Sequence, residues 1–227
     1  MSSVEKAGRS AGFGALFDWD GVVIDSSAQH EKSWELLARE IAKPLPPDHF
    51  LRGFGMKNQR IIPEILCWTE DPGEIEKYSL RKEHLYREII LEEGIRPLPG
   101  VAELLRTLAA HGVPCAVASS THRRNVEVVV DAIGLRHCFP AIVTGEDVSH
   151  GKPDPEVFLE SARRIGREAA DCVVFEDAHV GIEAGLAAGA RVIAVATTHP
   201  LEDLGRAHLA VRSLEEVRWE DFTAVFG

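Results

Sequence analysis

Asp18 and Asp20 stand one residue apart in Phe17-Asp18-Trp19-Asp20-Gly21, directly after a short apolar run. Side chains two apart in an extended chain point the same way, so both carboxylates can face one small volume. Two carboxylates this close resist joint ionisation unless a cation sits between them or one keeps a proton. The pair therefore implies a divalent metal, an acid/base couple, or both.

Placing such groups requires a frame. Near-continuous apolar runs at Phe13–Phe17, Pro114–Ala118, Ala141–Thr144, Cys172–Phe175 and Arg191–Val195 read as strands buried on both faces. Between them the spacing is helical. Val101, Leu104, Leu105 and Leu108 form one stripe that Gly112 ends, and Val126, Val129, Val130 and Ile133 form another that Gly134 ends. This alternation predicts an α/β fold with a doubly wound parallel sheet. Gly181, Gly185 and Gly189, four residues apart, are expected to give close helix–sheet packing. From Ser26 to about Pro97 the alternation stops and no convincing strand occurs. Trp34, Leu37 and Ile41 mark one helix there. Asp71-Pro72 starts a long second one, which Gly94 ends. This stretch reads as a small helical bundle inserted after the first strand.

Ligands of open α/β sheets bind beyond the carboxyl ends of the strands. Those ends carry Asp18 and Asp20, then Ser119-Ser120-Thr121, then Gly145-Glu146-Asp147 leading to Lys152, then Glu176-Asp177, then Thr197-Thr198-His199. Taken singly, each is an ordinary turn, helix cap or solvated lysine. Taken together, carboxylates, hydroxyls and one lysine converge on one rim, and that chemistry suits an oxygen-liganded cation beside a phosphate.

Bulk properties narrow the class. The 227 residues and 45% hydrophobic content suffice for a sizeable core. A net charge of −11 without a long basic run argues against nucleic acid or an anionic membrane as partner. The four cysteines are widely spaced with no CxxC, which argues for reduced, mostly buried thiols and against a zinc site. The polar start shows no signal-peptide pattern and no window suits a membrane span, so a cytoplasmic location is expected.

The order Asp18-x-Asp20-Gly21, Ser119, Lys152-Pro153, Glu176-Asp177 resembles the four motifs of the haloacid dehalogenase superfamily of phosphotransferases. The helical insert is similar to that family's class I helical cap. Asp18 to Ser26 and Gly151 to Pro155 resemble its β-phosphoglucomutase-like branch, which includes many sugar-phosphate phosphatases. The resemblance implies Asp18 as nucleophile forming an aspartyl phosphate, and Asp20 as general acid and then base. It implies Mg²⁺ held by Asp18, the Asp20 carbonyl and Asp177, with Glu176 close by. It implies Ser119 and the Ser120 N–H on the phosphoryl group, and Lys152 neutralising both Asp18 and a phosphoryl oxygen. Family members that cleave carbon–halogen or carbon–phosphorus bonds lack an aspartate at the Asp20 position, so a phosphate ester is the expected substrate.

In the expected cap, His30, Trp34 and Lys82 match substrate-side positions of the mutase. The place of the mutase's cap arginine, which holds a second phosphate, falls on Met56, with Lys57 or Arg60 one small shift away. Arg123 offers a further phosphate contact. These differences favour a phosphatase of a small phosphorylated metabolite, such as a sugar phosphate, over β-phosphoglucomutase itself. A phosphoacceptor signalling module is a remote third reading, since its aspartate follows the third strand rather than the first. The expected organisation is a tail (residues 1–12), a catalytic core (13–27 and 98–227) and a helical cap (28–97), acting as a monomer.

Overall fold

The structure is a computed structural model in which residues 12–53 and 56–226 are described. The expected N-terminal tail lies, apart from Gly12, outside the described residues. Six parallel strands form one sheet: β1 (Gly14–Phe17), β2 (Cys115–Ala118), β3 (Ala141–Val143), β4 (Cys172–Glu176), β5 (Arg191–Val195) and β6 (Leu209–Val211). Their order is β3-β2-β1-β4-β5-β6. The chain moves outward from β1 through β2 to β3, then crosses back to β4 on the other side of β1. The β1/β4 boundary is thus the switch point of the sheet, where a crevice opens at the carboxyl ends.

Five strands lie where the apolar runs predict them. The sequence reading omits β6, which is three residues long, half-exposed over Leu209 and Ala210, and at the sheet edge. Such a strand has no apolar run long enough to stand out. It pairs with β5 through Ile193–Leu209, Ala194–Ala210 and Val195–Val211.

The described helices are α1 (Ser27–Glu40), α2 (His49–Gly53), α3 (Asn58–Arg60), α4 (Pro72–Glu93), α5 (Val101–Ala110), α6 (Arg123–Ala132), α7 (Glu156–Arg164), α8 (His179–Ala187) and α9 (Trp219–Phe226). A π-helical turn, Ile61–Ile65, follows α3. Two compact units result: residues up to Asp25 with those from Arg96 onward, and Ser26–Ile95.

In the sheet unit, Leu16, Ala116, Val143, Val174 and Val192 line one face and pack with Phe158 of α7 and Ile182 of α8. The other face carries Phe17 stacked on Phe175, with ring centres 4.5 Å apart, and Phe175 meets Phe222 of α9 edge-on. Each fully buried aliphatic or aromatic side chain contributes roughly 1.5–3 kcal/mol. The stripes Val101, Leu104, Leu105, Leu108 and Val126, Val129, Val130 are buried as expected. Gly112 and Gly134 follow their helices with φ of 68° and 72°, where an L side chain would be strained.

In the helical unit, Asp71 caps α4 by accepting from the Glu74 N–H at 2.8 Å, with Pro72 in the first turn. α1 packs along α4. Trp34, Leu37, Ile62, Leu66, Trp68 and Leu85 form its apolar core, with Met56 against the margin. Among the described residues all four cysteines are free. Cys115 and Cys172 are buried, whereas Cys67 is exposed. Among the described residues no helix is long and apolar enough to cross a membrane.

The connection from β3 to α7 is fixed at its root by Asp147. Its carboxylate accepts from the Thr144 N–H at 2.8 Å, the Thr144 hydroxyl at 2.9 Å and Arg164 of α7 at 2.9 Å, and it pairs with Arg123 of α6. Partial burial alone would raise this carboxyl, but the Thr144 and arginine contacts outweigh it and hold its pKa down to about 2. A depressed acid stabilises the fold above its unfolded pKa and loses that contribution as pH falls through the folded one. Asp147→Asn should therefore cost on the order of 1 kcal/mol at pH 7. The gap to wild type should close as pH falls from about 4 to about 2. Denaturant unfolding at pH 7 and pH 3 measures it, and a gap independent of pH would exclude this origin.

Candidate active site

The crevice at the switch point is lined by the residues that follow β1, β2, β3, β4 and β5. The Asp18 N–H donates to the Phe175 carbonyl at 2.9 Å, which carries the β1–β4 ladder one residue past the strand. This places Asp18 opposite Glu176. The chain then turns at Gly21, whose N–H donates to Ile24 at 2.7 Å and whose φ is 83°. A side chain at Gly21 would overlap the Asp177 carboxylate, so only glycine allows this turn to pass motif four.

Lys152 reaches the crevice from the long β3–α7 connection. Its ammonium lies 4.9 Å from the centre of the Phe158 ring, bonds Asp18 Oδ1, and donates to Glu176 Oε1 at 2.6 Å. The approach to Lys152 is held by Glu156, which accepts from the N–H groups of Ser149 and His150. Glu176 is held at both ends. Its Oε2 accepts from the N–H groups of Asp177 and Ala178 at 2.8 Å each, at the start of α8. A Cβ at Gly181 would fall on the Glu176 carboxylate. Of the three spaced glycines, Gly185 alone shows the expected sheet packing, against Val174 and Val192. Gly181 makes room for a carboxylate, and Gly189, with φ 78°, follows the end of α8.

Ser119 is buried at the end of β2, and its hydroxyl accepts from the Thr121 N–H at 3.0 Å. Ser120 follows it, and Gly145 approaches the Ser120 carbonyl so closely that a Cβ would lie 2.9 Å away. Thr198, beyond β5, donates its hydroxyl to Asp177 Oδ2.

Asp18, Glu176 and Asp177 are all buried, and each offers a carboxylate oxygen within 4.8 Å of the others. Among the described residues one buried ammonium, Lys152, faces these three carboxyl groups. Burial raises the Asp18 carboxyl well above its ordinary value. Lys152 opposes the rise, while Glu176 and Asp177 add to it. Burial and Glu176 push Asp177 up to about 7, with a further contribution from Asp20. Burial disfavours the Lys152 ammonium, yet Asp18 and Glu176 outweigh it and hold the lysine above its usual value. An all-oxygen donor set with excess negative charge fits a hard divalent cation, which would relieve the repulsion that raises these acids. A second acidic group, His150, Asp154 and Glu156, lies at the surface, where Glu156 clamps the loop.

The residues expected in the helical unit fall into two groups. His30 and Lys82 meet, with His30 Nδ1 2.6 Å from the Lys82 ammonium. The His30 ring stacks on Tyr86 at 4.1 Å, and Lys82 lies between the Trp34 and Tyr86 rings. Removal from water and the Lys82 charge lower the His30 pKa to about 3, so its ring is neutral. Lys82 also donates to Glu83 at 3.0 Å, and Asn58 holds Glu83 at 2.6 Å and Ser79 at 3.1 Å. Trp34 belongs to the apolar core. Lys57 is exposed before α3, and Arg60 is paired with Glu64 through two bonds of 2.8 Å. In the sheet unit, Arg123 opens α6 and is engaged by Asp147. Sequence reasoning missed Glu83, Asn58 and the special place of Gly181. It noted Thr198 at the rim without giving it a partner.

Comparison with known proteins adds an independent line. The haloacid dehalogenase-like hydrolase family matches residues 14–189. The chloroplastic 5-amino-6-(5-phospho-D-ribitylamino)uracil phosphatase of Arabidopsis thaliana is 38% identical over 90% of this chain, which spans only 55% of that protein. Hexitol phosphatase A of Escherichia coli (strain K12) is 34% identical over 90% of this chain and 92% of its own length. Among solved structures, a HAD hydrolase of family IA, variant 3, from Entamoeba histolytica superposes with a TM-score of 0.85. It is 28% identical and covers 94% of this chain and 99% of its own. The fold, the rim of motifs and these matches agree that the chain belongs to the haloacid dehalogenase-like hydrolases.

Proposed function

We propose that this chain is a Mg²⁺-dependent phosphatase of a small phosphorylated metabolite, a sugar phosphate by preference, working through an aspartyl phosphate on Asp18. The observation that carries the reading is the Lys152 ammonium bridging Asp18 and Glu176 inside a buried acidic cluster at the sheet's switch point. The relatives support the substrate class, because their names describe phosphatases of a phosphoribityl compound and of hexitols.

In this scheme Ser119 and the Ser120 N–H hold the phosphoryl group, and Lys152 draws its negative charge. One Asp18 oxygen attacks phosphorus, and the bond to the leaving alkoxide breaks as Asp20 gives that oxygen its proton. A water then attacks the aspartyl phosphate and Asp20 takes the water's proton, which releases inorganic phosphate and restores both aspartates. Asp18, the Asp20 carbonyl and Asp177 would hold Mg²⁺, with Glu176 beside them. Bound there, the ion screens the anionic nucleophile from the phosphoryl oxygens. We assign substrate choice chiefly to the helical unit, with His30 and Lys82 as its polar contacts and the exposed Lys57 as a cation in the segment that replaces the mutase arginine. The setting is cytoplasmic and the active form a monomer.

The mutase reading finds less support. A mutase must grip a bisphosphate at both ends, which favours a guanidinium clamp. Met56 instead packs on the apolar core, and Arg60 is taken by Glu64.

Three outcomes test the scheme. Asp18→Asn should abolish phosphate release while leaving the circular dichroism spectrum unchanged, and near-normal turnover would refute it. Gly181→Ala should displace Glu176 and lower kcat by roughly 100-fold or more, because sub-ångström placement governs such sites. Steady-state kinetics on the folded variant decide this. A phosphate-ester panel should show phosphate release that stops with EDTA and returns with Mg²⁺. Conversion of β-glucose 1-phosphate to glucose 6-phosphate without free phosphate would favour the mutase instead.

A further inference from the structure

The segment after β5 is placed with more care than a surface loop requires. The Ala196 N–H donates to the Val211 carbonyl at 2.8 Å, extending the β5–β6 ladder one residue past the strand. The Thr197 N–H then folds back onto the Val195 carbonyl at 2.9 Å. This tight turn points the next side chain, Thr198, back into the crevice, where its hydroxyl donates to Asp177 Oδ2. On another side the same Oδ2 faces the bare Cα of Gly21, where any Cβ would overlap it. The Asp177 backbone is fixed separately, through its N–H on Glu176 Oε2. Asp177 is therefore held by its main chain on one motif and by its side chain on another.

We propose that Thr198 is a positioning residue that orients the Asp177 carboxylate for a divalent ion. The inference rests on the reading of Asp177 as a metal ligand. An aspartate side chain can rotate about two bonds, and in a crowded acidic cluster repulsion would turn it away from Asp18 and Glu176. A hydroxyl that donates to Oδ2 fixes the carboxylate plane and leaves Oδ1 for the ion. A hydroxyl donor to an ionised carboxylate makes a strong, charge-assisted bond. Outer partners of metal ligands commonly change affinity by about 10–100-fold. The chemical requirement is the hydroxyl, not the methyl group, so serine should serve and valine should not. Thr198 is half-exposed, which leaves room for valine without disturbing the core.

The test is direct Mn²⁺ binding, read as free Mn²⁺ by electron paramagnetic resonance without substrate, on wild type, T198V, T198S, T198A and D177N. Activity against Mg²⁺ concentration is measured alongside. The expected result is that D177N loses binding, T198V and T198A bind about 10-fold more weakly or worse, and T198S stays near wild type. The kcat of T198V should recover at high Mg²⁺ with substrate KM little changed. If D177N loses binding while T198V and T198A keep it, the role of Thr198 is overturned and the reading of Asp177 stands. If T198S is as impaired as T198V, the hydroxyl is not what matters and the proposal fails. If wild type and D177N bind Mn²⁺ alike, Asp177 is not a ligand, and both readings fall. Should T198V not fold, T198A and T198S carry the same comparison.

Discussion

Three carboxyl groups, Asp18, Glu176 and Asp177, share a buried space with one ammonium, Lys152. Concentrating acids away from water is costly, and it is tolerated only when each oxygen has a defined partner. Much of the local architecture serves that condition. Glu176 is tied to Lys152 by one oxygen and to the start of α8 by the other. Gly181 and Gly21 give up their side chains so that the Glu176 and Asp177 carboxylates can occupy the space. The β1–β4 register sets Asp18 beside Glu176 with no adjustable loop between strand and side chain.

The sheet topology explains why these groups meet although they are more than 150 residues apart in sequence at the extremes. β1 and β4 are neighbours because the chain reverses its direction of winding between β3 and β4. Their carboxyl ends therefore deliver Asp18 and Glu176-Asp177 to one point. β2 and β5, the next strands out on either side, deliver Ser119 and Thr198 to its flanks. Lys152 must come from a loop, and the long β3–α7 connection supplies it. That loop is anchored by Asp147 at its root and by Glu156 at the start of α7, so the lysine arrives on a braced segment.

Most of this frame was legible in the sequence for a simple physical reason. Strands buried on both faces must be apolar throughout, so β1 to β5 announce themselves, and the chemistry-bearing residues follow each one directly. β6 was not legible because it has three residues, two of them half-exposed, and so carries no such pattern. Thr198 was visible at a strand end, but its partner Asp177 is 21 residues away and only the fold joins them. In the helical unit, spacing located α1 and α4, while α2, α3 and the π-turn are too short for periodicity to register. Individual side chains were less legible still. Trp34 matched a substrate-side position by spacing, yet the structure uses it as core with Trp68 and Leu85. Glu83 and Asn58 carry no motif of their own, and only packing joins Glu83 to Lys82 and Asn58 to Glu83.

Each unit contains a lysine with a buried side chain, and the two differ in the charges around them. Lys82 sits with the Glu83 carboxylate and with a histidine whose ring is held neutral. Lys152 sits with three acids, so its cluster has a deficit of positive charge. Burial and that imbalance together raise the Asp18 and Asp177 carboxyls. A proton would neutralise the cluster at the expense of the proposed nucleophile, because a protonated Asp18 could not attack phosphorus. A divalent cation supplies the charge and keeps Asp18 ionised. On the proposed chemistry, the requirement for metal thus follows from the ratio of acids to lysine in the crevice.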